Sequence, residues 1–206
     1  VNVGFYHDGP PSAHAAAMVA SVSRVMPGTP IFQFSPEGTA TMKGVTRIVT
    51  PPQPLIARAV LEAYASVTGE WLFLDTDVLV LQNVEKIFVM EFDVAVAERR
   101  GTYKPEEERR KFMARMPWNK GVVYSRSQPF WEAAVARIGQ LKESAQAWMG
   151  DQQAVCDVVA SGAFHVATLA NTFNYPPQHR HDGADKHVLH FKGPRKPWML
   201  TYRRHA

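Results

Sequence analysis

The chain has 206 residues, of which 46% are hydrophobic, 11% aromatic and 20% charged, a balance that excludes a disordered or fibrous polypeptide and fits one globular domain spanning 1–206. Fifteen prolines and thirteen glycines are scattered, so no segment is a low-complexity linker, and no repeat of solenoid period is present. The formal charge of +4 is a mild excess of cations that points to an anionic partner, and the single Cys156 excludes a disulfide framework or a cysteine-rich zinc module and fits a reducing, cytoplasmic compartment. The opening VNVGFYHDG lacks a basic segment followed by an apolar one, and no run approaches the roughly 18 apolar residues of a membrane span, so a soluble protein is expected.

Val3 to Tyr6 is a short apolar run that breaks at His7-Asp8-Gly9-Pro10-Pro11. Ser12 then caps a helix whose Met18, Val22 and Val25 share one face, and Pro27-Gly28 ends it. Short strands are predicted at Ile31–Phe34 and Arg47–Val49, followed by the turn-rich TPPQP. A helix from Leu55 to about Val67 carries Leu55, Ala59 and Ala63 at four-residue spacing. WLFLDTDVLVL reads as one long strand buried on both faces, interrupted only by Asp75, Thr76 and Asp77. Next come a short helix near Val84–Phe88, a strand at Phe92–Ala97 and a charged segment from Glu98 to Arg115 that is either a helix or a lid. A strand at Gly121–Tyr124, helices at about Pro129–Lys142 and Asp151–Val159, and a strand at Phe164–Leu169 complete an α/β alternation. Loops follow Asn171 until the apolar His187–Phe191 and a basic tail.

Two carboxylates at the carboxyl end of the most apolar strand lie where open α/β sheets bind ligands. In an extended strand residues i and i+2 face one side, so Asp75 and Asp77 can converge on one cation; an Asp-x-Asp triplet is also an ordinary turn at a strand end. His190 is delivered by an apolar strand just before a Gly-Pro turn, as a metal ligand or as a hydrogen-bonded core histidine. By residue type alone Asn119 reads as a turn residue and Asp151 as a helix N-cap. The cluster His179, His181, Asp182 and His187 has no recognised ligand spacing. The basic runs Arg99-Arg100, Arg109-Arg110-Lys111 and Arg203-Arg204 are solvated faces, or a peripheral contact with a membrane surface; nucleic acid is not an expected partner, because no reading motif is present.

LFLDTDVLVLQNVEKIF, WNKGVVYSR, GDQQAV, FNYPP and HFKGPRKPW stand in an order and spacing that resemble the family-8 glycosyltransferases, the glycogenin and bacterial galactosyltransferase group. The resemblance runs from Leu55 to Trp198, and H-x-x-G-x-x-K-x-W is its most specific string. It implies a GT-A fold, a single Rossmann-like α/β domain whose mainly parallel mixed sheet is flanked by helices. It further implies that Asp75, Asp77 and His190 hold manganese or magnesium, that Lys196 and Gly193 stabilise a departing diphosphate, and that Asn119 and Gly121 contact the donor sugar. Asp151 and Gln152 match the segment beside the sugar ring and take the catalytic roles, Arg58 matches a basic residue that reaches the donor, and Tyr6 and Asp8 match the base and ribose site. Lys120 stands where the family usually has a small residue. The implied reaction moves a hexose from a nucleotide sugar, UDP-linked, to the hydroxyl of a sugar, lipid or protein acceptor with retention. The alternatives are a haloacid-dehalogenase-like phosphatase, from the hydrophobic strand ending in DTDVL, and a nucleotide-binding protein without turnover.

Overall fold

The computed structural model describes residues 1–99, 106–147, 149–180, 182–183 and 185–202, with the side chain of residue 109 left aside. In chain order the elements are β1 (Asn2–Tyr6), α1 (Ala13–Val25), β2 (Ile31–Pro36), β3 (Thr46–Thr50), α2 (Ile56–Ala65), β4 (Trp71–Leu74), β5 (Val78–Val80), β6 (Val94–Glu98), α3 (Glu106–Arg115) and β7 (Trp118–Ser125). They continue with α4 (Gln128–Gln140), α5 (Glu143–Ala147), α6 (Gly150–Ala160), β8 (Val166–Leu169), β9 (Val188–His190) and α7 (Lys196–Thr201).

Seven strands form one sheet in the order β3-β2-β1-β4-β7-β6-β8, and β5 pairs with β9 in a separate antiparallel ribbon. Neighbours are parallel except at β4–β7 and β7–β6, so six strands run one way and β7 runs against them. The sheet is mixed and mainly parallel, as expected. This arrangement brings the carboxyl ends of β1, β4 and β6 to the same edge as the start of β7, and every residue of the site described below approaches that edge.

Alternation along β4 feeds both faces of the sheet. Leu72 and Leu74 join Val3, Phe5, Met18, Val22 and Phe191 in a core beneath α1, the β5–β9 ribbon and α7. Trp71 and Phe73 point the other way, with Phe34, Tyr64, Phe130 and Trp131, beneath α2, α4 and α6. Phe73 stacks on Tyr64 at 3.9 Å between ring centroids and meets the edge of Trp131 at 5.2 Å. The helix starts follow their sequences: Ser12 and Ser127 accept hydrogen bonds from the N–H groups of Ala15 and Phe130.

Two expectations are corrected. The run from Trp71 to Leu81 is not one strand: it breaks after Leu74, turns through Thr76 and Asp77, and resumes as β5 in the other sheet. Continuing β4 would drive two carboxylates into an apolar layer, whereas the turn turns them out toward the sheet edge. The expected basic tail begins with α7, which has Pro197 in its first turn, where a missing N–H costs nothing. The charged segment forms α3, while 100–105 and 203–206 lie outside the described residues. Among the described residues no helix is long and apolar enough to cross a membrane.

Trp131 is 1% exposed and its Nε1–H donates to Ser125 Oγ at 2.9 Å. Trp131→Ala removes that ring from the junction of α2, α4 and β4, with an expected loss of about 3–5 kcal/mol measured by urea denaturation.

Candidate metal and donor site

Asp75, Asp77 and His190 each place a ligand atom in one cluster, all within 4.8 Å of one another. His190 Nε2 lies 3.1 Å from Asp77 Oδ1 and 3.7 Å from Asp75 Oδ2. Three elements produce this convergence. The turn after β4 carries the carboxylates; β9 carries the imidazole; the pairing of β5 with β9 sets Val78 opposite His190, with the Phe191 N–H donating to the Asp77 carbonyl at 2.8 Å. The aspartates therefore converge through a turn, and not through the i, i+2 alternation of one strand.

The imidazole is oriented from behind. Asn174 Nδ2 donates to the Asn119 carbonyl at 2.9 Å, which fixes its amide so that Oδ1 accepts from His190 Nδ1 at 2.8 Å. The proton thus resides on Nδ1 in the neutral ring, and Nε2 offers its lone pair to the carboxylates. Burial is the largest influence on His190 and, with the nearby charge of Lys192, holds it below its ordinary value despite Asp77. A neutral nitrogen facing two ionised carboxylates at this range calls for a cation between them, and burial disfavours the proton in that role. The donor set of two carboxylates and one imidazole fits a divalent ion of the manganese or magnesium class.

The carboxylates are held ionised. Burial alone would raise Asp75, but Lys120 outweighs it and lowers the group; Asp77 is lowered as well, against burial, by His190 whenever that ring carries a proton and by Lys196. Lys120 Nζ lies 3.0 Å from Asp75 Oδ1 and 2.8 Å from Asp151 Oδ2, with only 9% of its side chain exposed. Burial would lower this ammonium, yet Asp151 and Asp75 hold it well above its ordinary value. Lys196 Nζ reaches Asp77 Oδ2 at 3.1 Å from a half-exposed position. Beside them Lys192 is lowered to about 7, first by burial and then by Arg99.

Gly121 has no room for a side chain, since a Cβ there would stand 2.0 Å from His190 Cε1 and 2.8 Å from Asp75 Oδ2. Its carbonyl accepts from the Asp75 N–H at 2.9 Å, so β7 and the turn after β4 are in backbone contact. Gln152 secures β7 as well: Oε1 accepts from the Lys120 N–H at 3.1 Å, and Nε2 donates to the Trp118 carbonyl at 2.8 Å. Asn119 is buried, with its Oδ1 accepting from the Gly121 N–H at 3.3 Å. Asp151 is not the N-cap of α6. That position is Met149, the one non-glycine residue with positive φ (61°) among the described residues, and Asp151 in the first turn accepts from the Gln152 N–H and pairs with Lys120.

A cavity of about 190 Å³ adjoins the cluster, lined by Tyr6, Val60, Tyr64, Leu74, Asp75, Thr76, Asp77 and Lys196. A second, of about 390 Å³, lies beyond the end of β1 and is lined by residues that include Asp8, Glu37 and Thr39; the Thr39 hydroxyl donates to Asp8 at 3.3 Å. Gly193 has φ of 56° and opens the short turn that leads into Lys196. Arg58 is engaged elsewhere: its Nε pairs with Glu62 at 2.7 Å on a part-exposed side of α2, while Val60 and Tyr64 of that helix line the cavity. Sequence reasoning missed Asn174 as the partner of His190 and Lys120 as the partner of Asp75. The one available signal was a lysine at the head of the apolar GVVY strand, a charge that burial obliges to find a counter-ion. His181, Arg100, Arg203 and Arg204 lie outside the described residues.

Gly121→Ala is expected to push the His190 ring off the carboxylates, at a cost of about 1–3 kcal/mol measured by urea denaturation.

No protein-family model matches the chain, and no curated protein matches it. Solved structures do. The galactosyltransferase LgtC in complex with donor and acceptor sugar analogues superposes with a TM-score of 0.62 and 16% identity, over 96% of this chain and 89% of that one. The glycosyltransferase GlyE of Streptococcus pneumoniae TIGR4, in its apo form, gives 0.65 and 15% over 96% and 56%. The bifunctional glycosyltransferase WbbM gives 0.62 and 13% over 96% and 46%, so this chain spans about half of the latter two. The architecture is that of a GT-A glycosyltransferase, shared over 96% of this chain.

Proposed function

We propose that residues 1–206 act as one domain, a retaining glycosyltransferase that uses manganese or magnesium to move a hexose from a UDP-linked donor to an acceptor hydroxyl. The observation that carries this reading is the neutral imidazole of His190, aimed by Asn174 at two ionised aspartates on the ligand-binding edge of a glycosyltransferase fold. LgtC, which shares that fold, binds donor and acceptor sugar analogues, and a sugar hydroxyl is accordingly the acceptor favoured here. The lone buried Cys156 fits a reducing, cytoplasmic setting.

Asp75, Asp77 and His190 would hold the ion. When bound it supplies Lewis-acid stabilisation of the charge that builds on the departing diphosphate. Lys196, half exposed beside Asp77, presents an ammonium to the same phosphates, and the positive-φ Gly193 allows the backbone before it to turn toward them. Tyr6, which lines the cavity beside the acids, offers a ring to the nucleoside side, and Asp8, which lines the cavity beyond β1, an acceptor for its ribose hydroxyls. The bond from the anomeric carbon to the diphosphate oxygen breaks on the face where the acceptor oxygen bonds, and the acceptor proton passes to that diphosphate oxygen. No separate carboxylate base is then required. Asp151, kept beside Asp75 by Lys120, supplies negative charge to the cationic sugar centre, while Asn119, Gly121 and Gln152 shape the floor beneath it. Arg58 would have to leave Glu62 to reach the donor.

The test is a panel of nucleotide sugars screened with manganese for thermal stabilisation and slow donor hydrolysis, repeated with Asp77→Ala and His190→Ala. The matching donor at a hundredfold excess over its Kd is expected to raise Tm by about 5–10 °C, and both variants to lose the shift and the hydrolysis. If neither metal nor any donor moves the wild-type Tm, the transferase reading fails. A phosphorylated Asp75 with phosphatase activity would establish the phosphatase alternative instead.

A further inference from the structure

We infer that Lys120 is a resident counter-cation of the carboxylate cluster that sets how tightly a divalent metal binds there, an inference that rests on the metal site proposed above. Its placement is fixed at both ends. The backbone N–H is held by Gln152 Oε1 at 3.1 Å, and the ammonium bridges Asp75 Oδ1 and Asp151 Oδ2 at 3.0 and 2.8 Å with 9% of the side chain exposed. Asp75 is thereby divided: one oxygen belongs to Lys120, and the other, Oδ2, lies 3.7 Å from His190 Nε2 and is left for a metal.

Two effects of this bridge oppose each other. Holding Asp75 from behind orients it as a single-oxygen ligand, and such outer contacts are typically worth about 10- to 100-fold in metal affinity. The ammonium also draws charge from the ligand and repels an incoming dication from just across one carboxylate. In a buried setting of effective dielectric about 20, a unit charge a few ångströms from a dication outweighs the orienting gain. Lys196 carries the same sign but is half exposed, so water screens it, and Lys120 makes the larger difference. The main chain of Asp75 also keeps its place without Lys120, because its N–H is tied to the Gly121 carbonyl. The net result is a site that stays assembled without metal and binds it weakly enough to exchange.

Manganese alone, with no nucleotide, is titrated into wild type, Lys120→Met, Lys120→Gln and Lys120→Arg, with free manganese followed by electron paramagnetic resonance and Tm recorded with manganese and with chelator. The neutral variants are expected to bind manganese at least about tenfold more tightly, to unfold at lower temperature in chelator, and to gain more from manganese than wild type does. Lys120→Arg is expected to keep the wild-type affinity. Lys120→Gln can still hydrogen-bond both carboxylates and carries the test if Lys120→Met does not fold. Equal or weaker binding by the neutral variants overturns the inference and leaves the metal site standing. Absence of manganese binding in every protein overturns both.

Discussion

The constraint on which the site depends is the cost of keeping ionised carboxylates in a buried place. Asp77 is buried and Asp75 and Asp151 are part-buried at the edge of an apolar sheet, where a carboxylate needs opposite charge or a ligand to share. Lys120 answers for Asp75 and Asp151 and Lys196 for Asp77, and the remaining arrangement serves to hold those partners in range. The Asn119–Asn174–His190 relay fixes which imidazole nitrogen faces the acids, and Gln152 fixes the strand that carries Lys120.

Topology makes the gathering possible. Six strands point their carboxyl ends at one edge, and the reversed β7 brings its first residues to that edge in place of its last. Asn119, Lys120 and Gly121 therefore meet the end of β4, with Gly121 close enough that a methyl group would strike His190. The β5–β9 ribbon then returns the chain from 112 residues' distance in number, His190 against Val78, beside the turn that holds the aspartates. One cavity lies beside the acids and the other beyond the end of β1.

Sequence and structure agree most closely where the information is local. The helix begun by Ser12, the alternation of strands and helices, the apolar β4 and the acids at its end are all legible in residue type and spacing. Motif order alone also grouped Asp75, Asp77 and His190 into one ligand set. Less visible was how the aspartates converge: continuous hydrophobicity from Trp71 to Leu81 conceals a break, because β4 and β5 are both buried and apolarity does not record which sheet a strand joins. Arg58 shows the same limit in another form, since a helical cation four residues before a glutamate has a partner close at hand whatever its place in a motif.

By itself the sequence determined an α/β domain with an acidic pair at a strand end and a histidine able to join it, because periodicity and residue chemistry are properties of short segments. The tertiary structure alone decided that Lys120 bridges Asp75 and Asp151, that Asn174 selects the His190 tautomer, and that Gln152 faces β7. Each of those contacts joins residues between 16 and 45 positions apart, and such pairings exist only once strand order and direction have been set.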